Sequence, residues 1–238
     1  MSIKLLSENG NEAMTERALS ALSRRKFLSY VGMGSALVVG ASALASCDKD
    51  DDAPNNNGVN LGSGDVGILN YAYALEQLEA AFYTKVMMSP FSGMTATETA
   101  FLTDIRDHEI AHRNFFKAAI AGAGATPLID LEVDFSSINF GDRTSVLSTA
   151  KVFEDLGVMA YNGAGKLITT PAYLVIAGQI VSVEARHAAL IADLISNGTF
   201  SNTTDANGLD KAMTPAQVLT AADPFIVTKL NASNLPTS

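Results

Sequence analysis

Glu109-Ile110-Ala111-His112 and Glu184-Ala185-Arg186-His187 are two copies of one pattern, Glu-x-x-His. Side chains three apart on an α-helix share a face. Each pair lies on a seam that is otherwise apolar. The first seam reads Leu102, Ile105, Glu109, His112, Phe116, and the second reads Ala177, Ile180, Glu184, His187, Ile191. Each is preceded by another helical stretch with a single Glu on its seam and a Tyr seven residues later. These are Leu69, Tyr73, Glu76, Tyr83 and Leu147, Ala150, Glu154, Tyr161. The chain therefore says the same thing twice, Glu-x6-Tyr followed by Glu-x-x-His, which is an internal repeat of helix pairs.

Across the rest of the chain four long segments carry helical spacing and no period-two strand stands among them. The first runs from about Asp65 to Met88. The second opens at Thr95 with Glu98 in capping-box position and stops near Gly122. The third runs from about Asp142 to Leu167. The fourth opens at Thr170-Pro171, a cap followed by Pro at the first helical position, and ends near Ser196. A short fifth helix opens at Thr214-Pro215. Helices one and two, and three and four, are closely joined, whereas Gly122 to Gly141 separates helices two and three. The expected fold is all-α: a ferritin-like four-helix bundle with one long crossover between helices two and three, plus a short C-terminal helix. Any strand is expected as a short piece in that crossover.

Four carboxylates on apolar seams would cost several kcal/mol each if buried without compensation. Two divalent cations supply it. Four carboxylates and two imidazoles are the ligand set of di-iron and di-manganese carboxylate bundles. A competing motif overlaps the first copy: His108-Glu109-Ile110-Ala111-His112 matches the zinc-protease pattern H-E-x-x-H. Its extended form fails at Phe115 and Ala118, and it leaves Glu76, Glu154, Glu184 and His187 unexplained. His108 is then expected to be a partly exposed neighbour hydrogen-bonded to an acidic group, with a role in tuning the site as the other option.

The runs Leu69-Asn70-Tyr71-Ala72-Tyr73-Ala74-Leu75-Glu76-Gln77-Leu78-Glu79-Ala80-Ala81-Phe82-Tyr83 and Ser182-Val183-Glu184-Ala185-Arg186-His187-Ala188-Ala189 resemble the bacterial ferritin-like domain proteins that include desiccation-related proteins. The resemblance covers about 64 to 196. It implies Glu76, Glu109, His112, Glu154, Glu184 and His187 as metal ligands, and it supports a metal site more firmly than a reaction. Glu79, one turn after Glu76, is the rival ligand. The repeat favours Glu76, because the place equivalent to Glu79 in helix three is Gly157. Tyr83 and Tyr161 read either as hydrogen-bond donors to the carboxylates or as core aromatics with a polar tip.

The N-terminal residues read as an address. Ser23-Arg24-Arg25-Lys26-Phe27-Leu28 matches a twin-arginine export signal, an uncharged run follows from Leu28 to Ser46, and Leu44-Ala45-Ser46-Cys47 resembles a lipobox. The expected organisation is a signal peptide over 1–46, an acidic tether over 47–64, the bundle over 65–200 and a C-terminal extension over 201–238. Cys47 is the expected lipidation site, which places the protein at the bacterial cell envelope, on the periplasmic face or the surface. One Cys and three His among 238 residues exclude a disulfide framework and a Cys-rich metal site. A net charge of −9 lacks the basic footprint of a nucleic-acid binder. The expected state is a monomer or dimer in preference to a cage.

The expected function is a di-metal protein holding two Fe, with Mn as the other candidate, that reacts with O₂ or peroxide and oxidises Fe(II) or removes oxidant. Glu109 and Glu184 are the expected bridging ligands, Glu76 and Glu154 the terminal ones. The alternative is a non-catalytic stress or desiccation-related protein whose metal stabilises the bundle or has been lost.

Overall fold

The computed structural model describes residues 58–237. The twin-arginine motif, the apolar run and Cys47 lie outside the described residues. Five helices follow in order: α1 (Gly64–Met88), α2 (Ala96–Gly122), α3 (Arg143–Gly165), α4 (Pro171–Ile195) and α5 (Pro215–Ala222). A 3₁₀ turn (Asp223–Phe225) follows α5. The fold is all-α, with α1 packed on α2, α3 on α4, and α1 also meeting α3.

The helix starts follow from local chemistry. At α2 the Thr95 side chain accepts from Glu98 N at 3.1 Å, and the Glu98 carboxylate accepts from Thr95 N at 2.8 Å. Glu98 has a second task. Its Oε1 accepts from Arg143 Nε at 2.6 Å, and the same guanidinium donates to the Leu194 carbonyl at 2.8 Å. One arginine thus ties the starts of α2 and α3 to the end of α4. At the other end of the bundle, the Asp65 carboxylate accepts from the backbone N–H groups of Thr169 and Thr170, each at 2.8 Å, and fixes the tight turn between α3 and α4 to the start of α1. Asp142 caps α3 through Thr144 N, and Thr214 and Gln217 form a capping box on α5.

The long connection from 123 to 142 is held against α1 by two buried amides. Asn70 donates to Leu61 O and accepts from Leu128 N. Gln77 donates to Ile129 O and accepts from Leu131 N. Phe135 and Phe140 of the connection meet Phe82 of α1, which also makes an edge contact with Phe153 of α3 at 5.1 Å. Phe153 in turn meets Phe225 of the C-terminal segment at 4.8 Å and 89°.

The strand content differs from expectation in place. Among the described residues, Val59–Asn60 (β1) pairs in parallel with Leu230–Asn231 (β2), joining the two ends of the described chain. In the long connection there is one isolated bridge, Val133 with Ile226. Leu61, in the stretch read as tether, is fully buried. Pairing with a segment so distant in sequence leaves no local signal.

The segment leading to α5 crosses α3 at Gly163. Met213 N donates to Met159 O at 3.0 Å, and a Cβ on Gly163 would lie 1.7 Å from the Met213 carbonyl oxygen. That contact is with backbone and cannot be relieved by a rotamer change. Gly163→Ala should therefore displace this segment and lower stability by about 1–3 kcal/mol in a denaturant titration. An unchanged midpoint would contradict this packing.

Candidate metal centre

Glu76, Glu109, Glu154 and Glu184 project from α1, α2, α3 and α4 into one interior cluster, each at most 1% exposed. His187 is 4% exposed and the His112 side chain 13%. The six residues expected from the sequence are all brought together. Their donor atoms fall into two overlapping groups, Glu76, Glu109, His112, Glu184 and Glu109, Glu154, Glu184, His187. Within each group the atoms lie within 4.8 Å of one another. Glu109 and Glu184 belong to both.

The two halves mirror each other. His112 Nδ1 lies 2.9 Å from Glu184 Oε1, 3.4 Å from Glu76 and 3.6 Å from Glu109. His187 Nδ1 lies 2.9 Å from Glu109 Oε1, 3.4 Å from Glu154 and 3.8 Å from Glu184. Each imidazole thus comes closest to the carboxylate of the opposite Glu-x-x-His helix. The tyrosines are crossed as well. Tyr83 of α1 donates to Glu154 Oε1 of α3 at 2.5 Å, and Tyr161 of α3 donates to Glu76 Oε1 of α1. Of the two readings open for these tyrosines, the hydrogen-bond donor is the one seen.

What remains is a set of buried atoms without partners. Glu76 Oε2, Glu154 Oε2, both oxygens of Glu109, both of Glu184 and Nδ1 of both His make no hydrogen bond. The 2.9 Å approaches of the imidazoles to carboxylates lack hydrogen-bond geometry. The donors converge on shared space rather than on one another. Native proteins pair the large majority of their buried side-chain polar atoms, so eight unpaired ones in a single cluster call for an explanation. A set of carboxylate oxygens and neutral imidazole nitrogens is what hard to borderline divalent cations take, so the residues present fit a metal.

The electrostatics of the metal-free cluster agree. Burial raises the Glu154 carboxyl to about 8, against the pull of His187. Burial also drives Glu76 well above the usual range, with Glu184 and Glu109 adding to the shift against the pull of His112. Burial pushes Glu109 the same way, but the two imidazoles outweigh it and hold this carboxyl at about 2. Burial lowers both imidazoles, yet the surrounding carboxylates outweigh it and raise His112 and His187 to about 12. Without a cation the cluster is held by protons.

Glu79 is buried but stands outside both donor groups. Its Oε1 would lie 3.2 Å from a Cβ on Gly157, so the glycine at the equivalent place in α3 leaves the room this carboxylate uses. Burial, and then the four neighbouring glutamates, raise Glu79 well above the carboxylate range.

His108 is an exposed neighbour of the cluster, as expected, but its partner differs. Its partner is not an acidic group: His108 Nδ1 lies 2.9 Å from His187 Nε2, with the rings 10° from parallel. That partner stands on the neighbouring helix α4, a pairing that no spacing within α2 specifies. His108 belongs to neither donor group, whereas the protease pattern would need it beside His112 on one metal.

A family model described as a ferritin-like domain matches residues 64–197, more than half of the chain. The chain belongs to the ferritin-like domain family. The match begins at the first residue of α1 and ends just beyond α4, so it spans the whole cluster. Comparison with curated proteins gives no match. This ferritin-like domain thus carries a buried Glu/His cluster able to hold a metal ion.

Proposed function

We propose that the chain is a di-metal carboxylate protein. Glu109 and Glu184 are shared by both metal positions; Glu76 and His112 complete one, Glu154 and His187 the other. The observation that carries this reading is the group of buried, unpartnered oxygens and nitrogens on those six residues. Iron is the first candidate and manganese the second, because carboxylate and imidazole ligands suit both. Bound as Fe(II), the pair supplies electrons to O₂ or peroxide.

The protein's own part is positional. Tyr83 and Tyr161 each hold one oxygen of a terminal carboxylate and leave the other turned to the metal position. Leu102, Ile105, Leu147 and Ile191, all buried, line the seams and limit water. The physiological outcome proposed is Fe(II) oxidation or removal of oxidant. It takes place at the cell envelope, with the bundle as a monomer or dimer tethered through a lipid on Cys47.

The test is oxygen uptake by the full chain, loaded anaerobically with Fe(II) and then mixed with aerated buffer. Uptake well above that of Fe(II) alone, abolished by Glu109→Ala, is expected. Bound iron with no added uptake would replace this reading with the alternative, a metal that only stabilises the bundle.

A further inference from the structure

We infer that His108 is a positioning residue for one of the two metal positions and that it makes the two unequal. The inference rests on the di-metal reading above. His187 turns Nδ1 to Glu109 and Glu154, at 2.9 and 3.4 Å, and Nε2 to His108 Nδ1, at 2.9 Å. An imidazole that offers Nδ1 to a cation carries its hydrogen on Nε2. That hydrogen is donated to His108 Nδ1, so His108 keeps its own hydrogen on Nε2. A partner of this kind fixes the ligand's tautomer and ring orientation and makes it a better donor.

The other half of the repeat has no equivalent. His108 directly precedes Glu109, and the residue directly preceding Glu184 is Val183. The valine side chain accepts no hydrogen bond, so the repeat gives His112 no such side-chain partner. The near-symmetric cluster is thus broken at one point, and the position built on Glu154 and His187 binds its metal more tightly.

Co(II) is a suitable probe, because its visible bands report ligand geometry. The full chain, stripped of metal, is titrated with Co(II) by calorimetry and absorption, alongside His108→Leu and His108→Gln. His108 is exposed on α2, and retained helix content in circular dichroism checks each fold. The wild type should bind two Co(II) with unequal affinity. His108→Leu should weaken the tighter position by about 10–100-fold, shift its bands and leave the other position unchanged. His108→Gln, whose amide oxygen accepts the same hydrogen, should recover most of the affinity. Wild-type affinities and bands in His108→Leu would overturn the role of His108 while leaving the di-metal reading intact. So would a Gln variant as weak as Leu. A wild-type chain that binds no Co(II) would overturn both.

Discussion

Glu109→Ala combined with Glu184→Ala should take the full chain from about two bound ions to nearly none, with its helices retained. The two carboxylates are the members common to both donor groups, so their loss removes ligands from both positions at once. Variants of the other glutamates should divide differently. Glu154→Ala touches one group and should cost one ion. Glu76→Ala touches the other and should do the same. Glu79→Ala touches neither and should leave the stoichiometry unchanged. This pattern also decides between Glu76 and Glu79 as ligand. Elemental analysis of the purified variants measures it, and undiminished metal in the double variant would sink the ligand assignment.

Removing the metal should make the protein both less stable and sensitive to pH. A ligand that binds only the folded state adds about 2.7 kcal/mol at a hundredfold excess over its Kd, and two positions are at stake. The pH effect follows from the raised groups. In the metal-free chain Glu154 stands at about 8 against an ordinary 4.5, and both imidazoles at about 12 against 6.5. Each holds its proton more tightly folded than unfolded. Its contribution is complete below the unfolded value and is lost as pH rises toward the folded value. Glu109, held at about 2, works in the opposite sense, but its contribution is lost only below the usual carboxylate range. The metal-free chain should therefore lose stability steadily from about pH 6 to about pH 9. In the loaded chain cations replace those protons, so the slope should flatten and loading should release protons. Denaturant midpoints with and without chelator, at both ends of that range, check this. A metal-free chain that gains stability toward pH 9 would contradict it.

The helices and the clustered glutamates and histidines are legible in the sequence, because both are written in short-range spacing. Thr95 with Glu98, Asp142, Thr170-Pro171 and Thr214-Pro215 mark helix starts within a residue of where they occur. The glutamates and histidines stand out because charge on an apolar seam is costly. What the seams do not carry is the partner of each group across the bundle. Periodicity gives the face of a helix but not its offset against a neighbour. Glu76 and Tyr83 share a face, and so do Glu154 and Tyr161. A separation of seven residues is about 10 Å along the axis, too far for a bond on the same helix. That distance implies that each tyrosine must find its partner on another helix, and each reaches across to the other's glutamate. For His108 there is no such signal, since its partner lies on α4 and nothing in the turn His108-Glu109 points there. The hold of Asn70 and Gln77 on the long connection was likewise invisible, because their targets are backbone groups of a segment without periodicity.

Everything proposed for this protein depends on the buried cluster being a two-metal centre. Elemental analysis of the full chain, purified without added metal and again after anaerobic Fe(II) loading and desalting, tests it most directly. About two Fe or Mn per chain are expected, bound before or after loading. A chain that holds no metal in either state, with its helices intact, would contradict it.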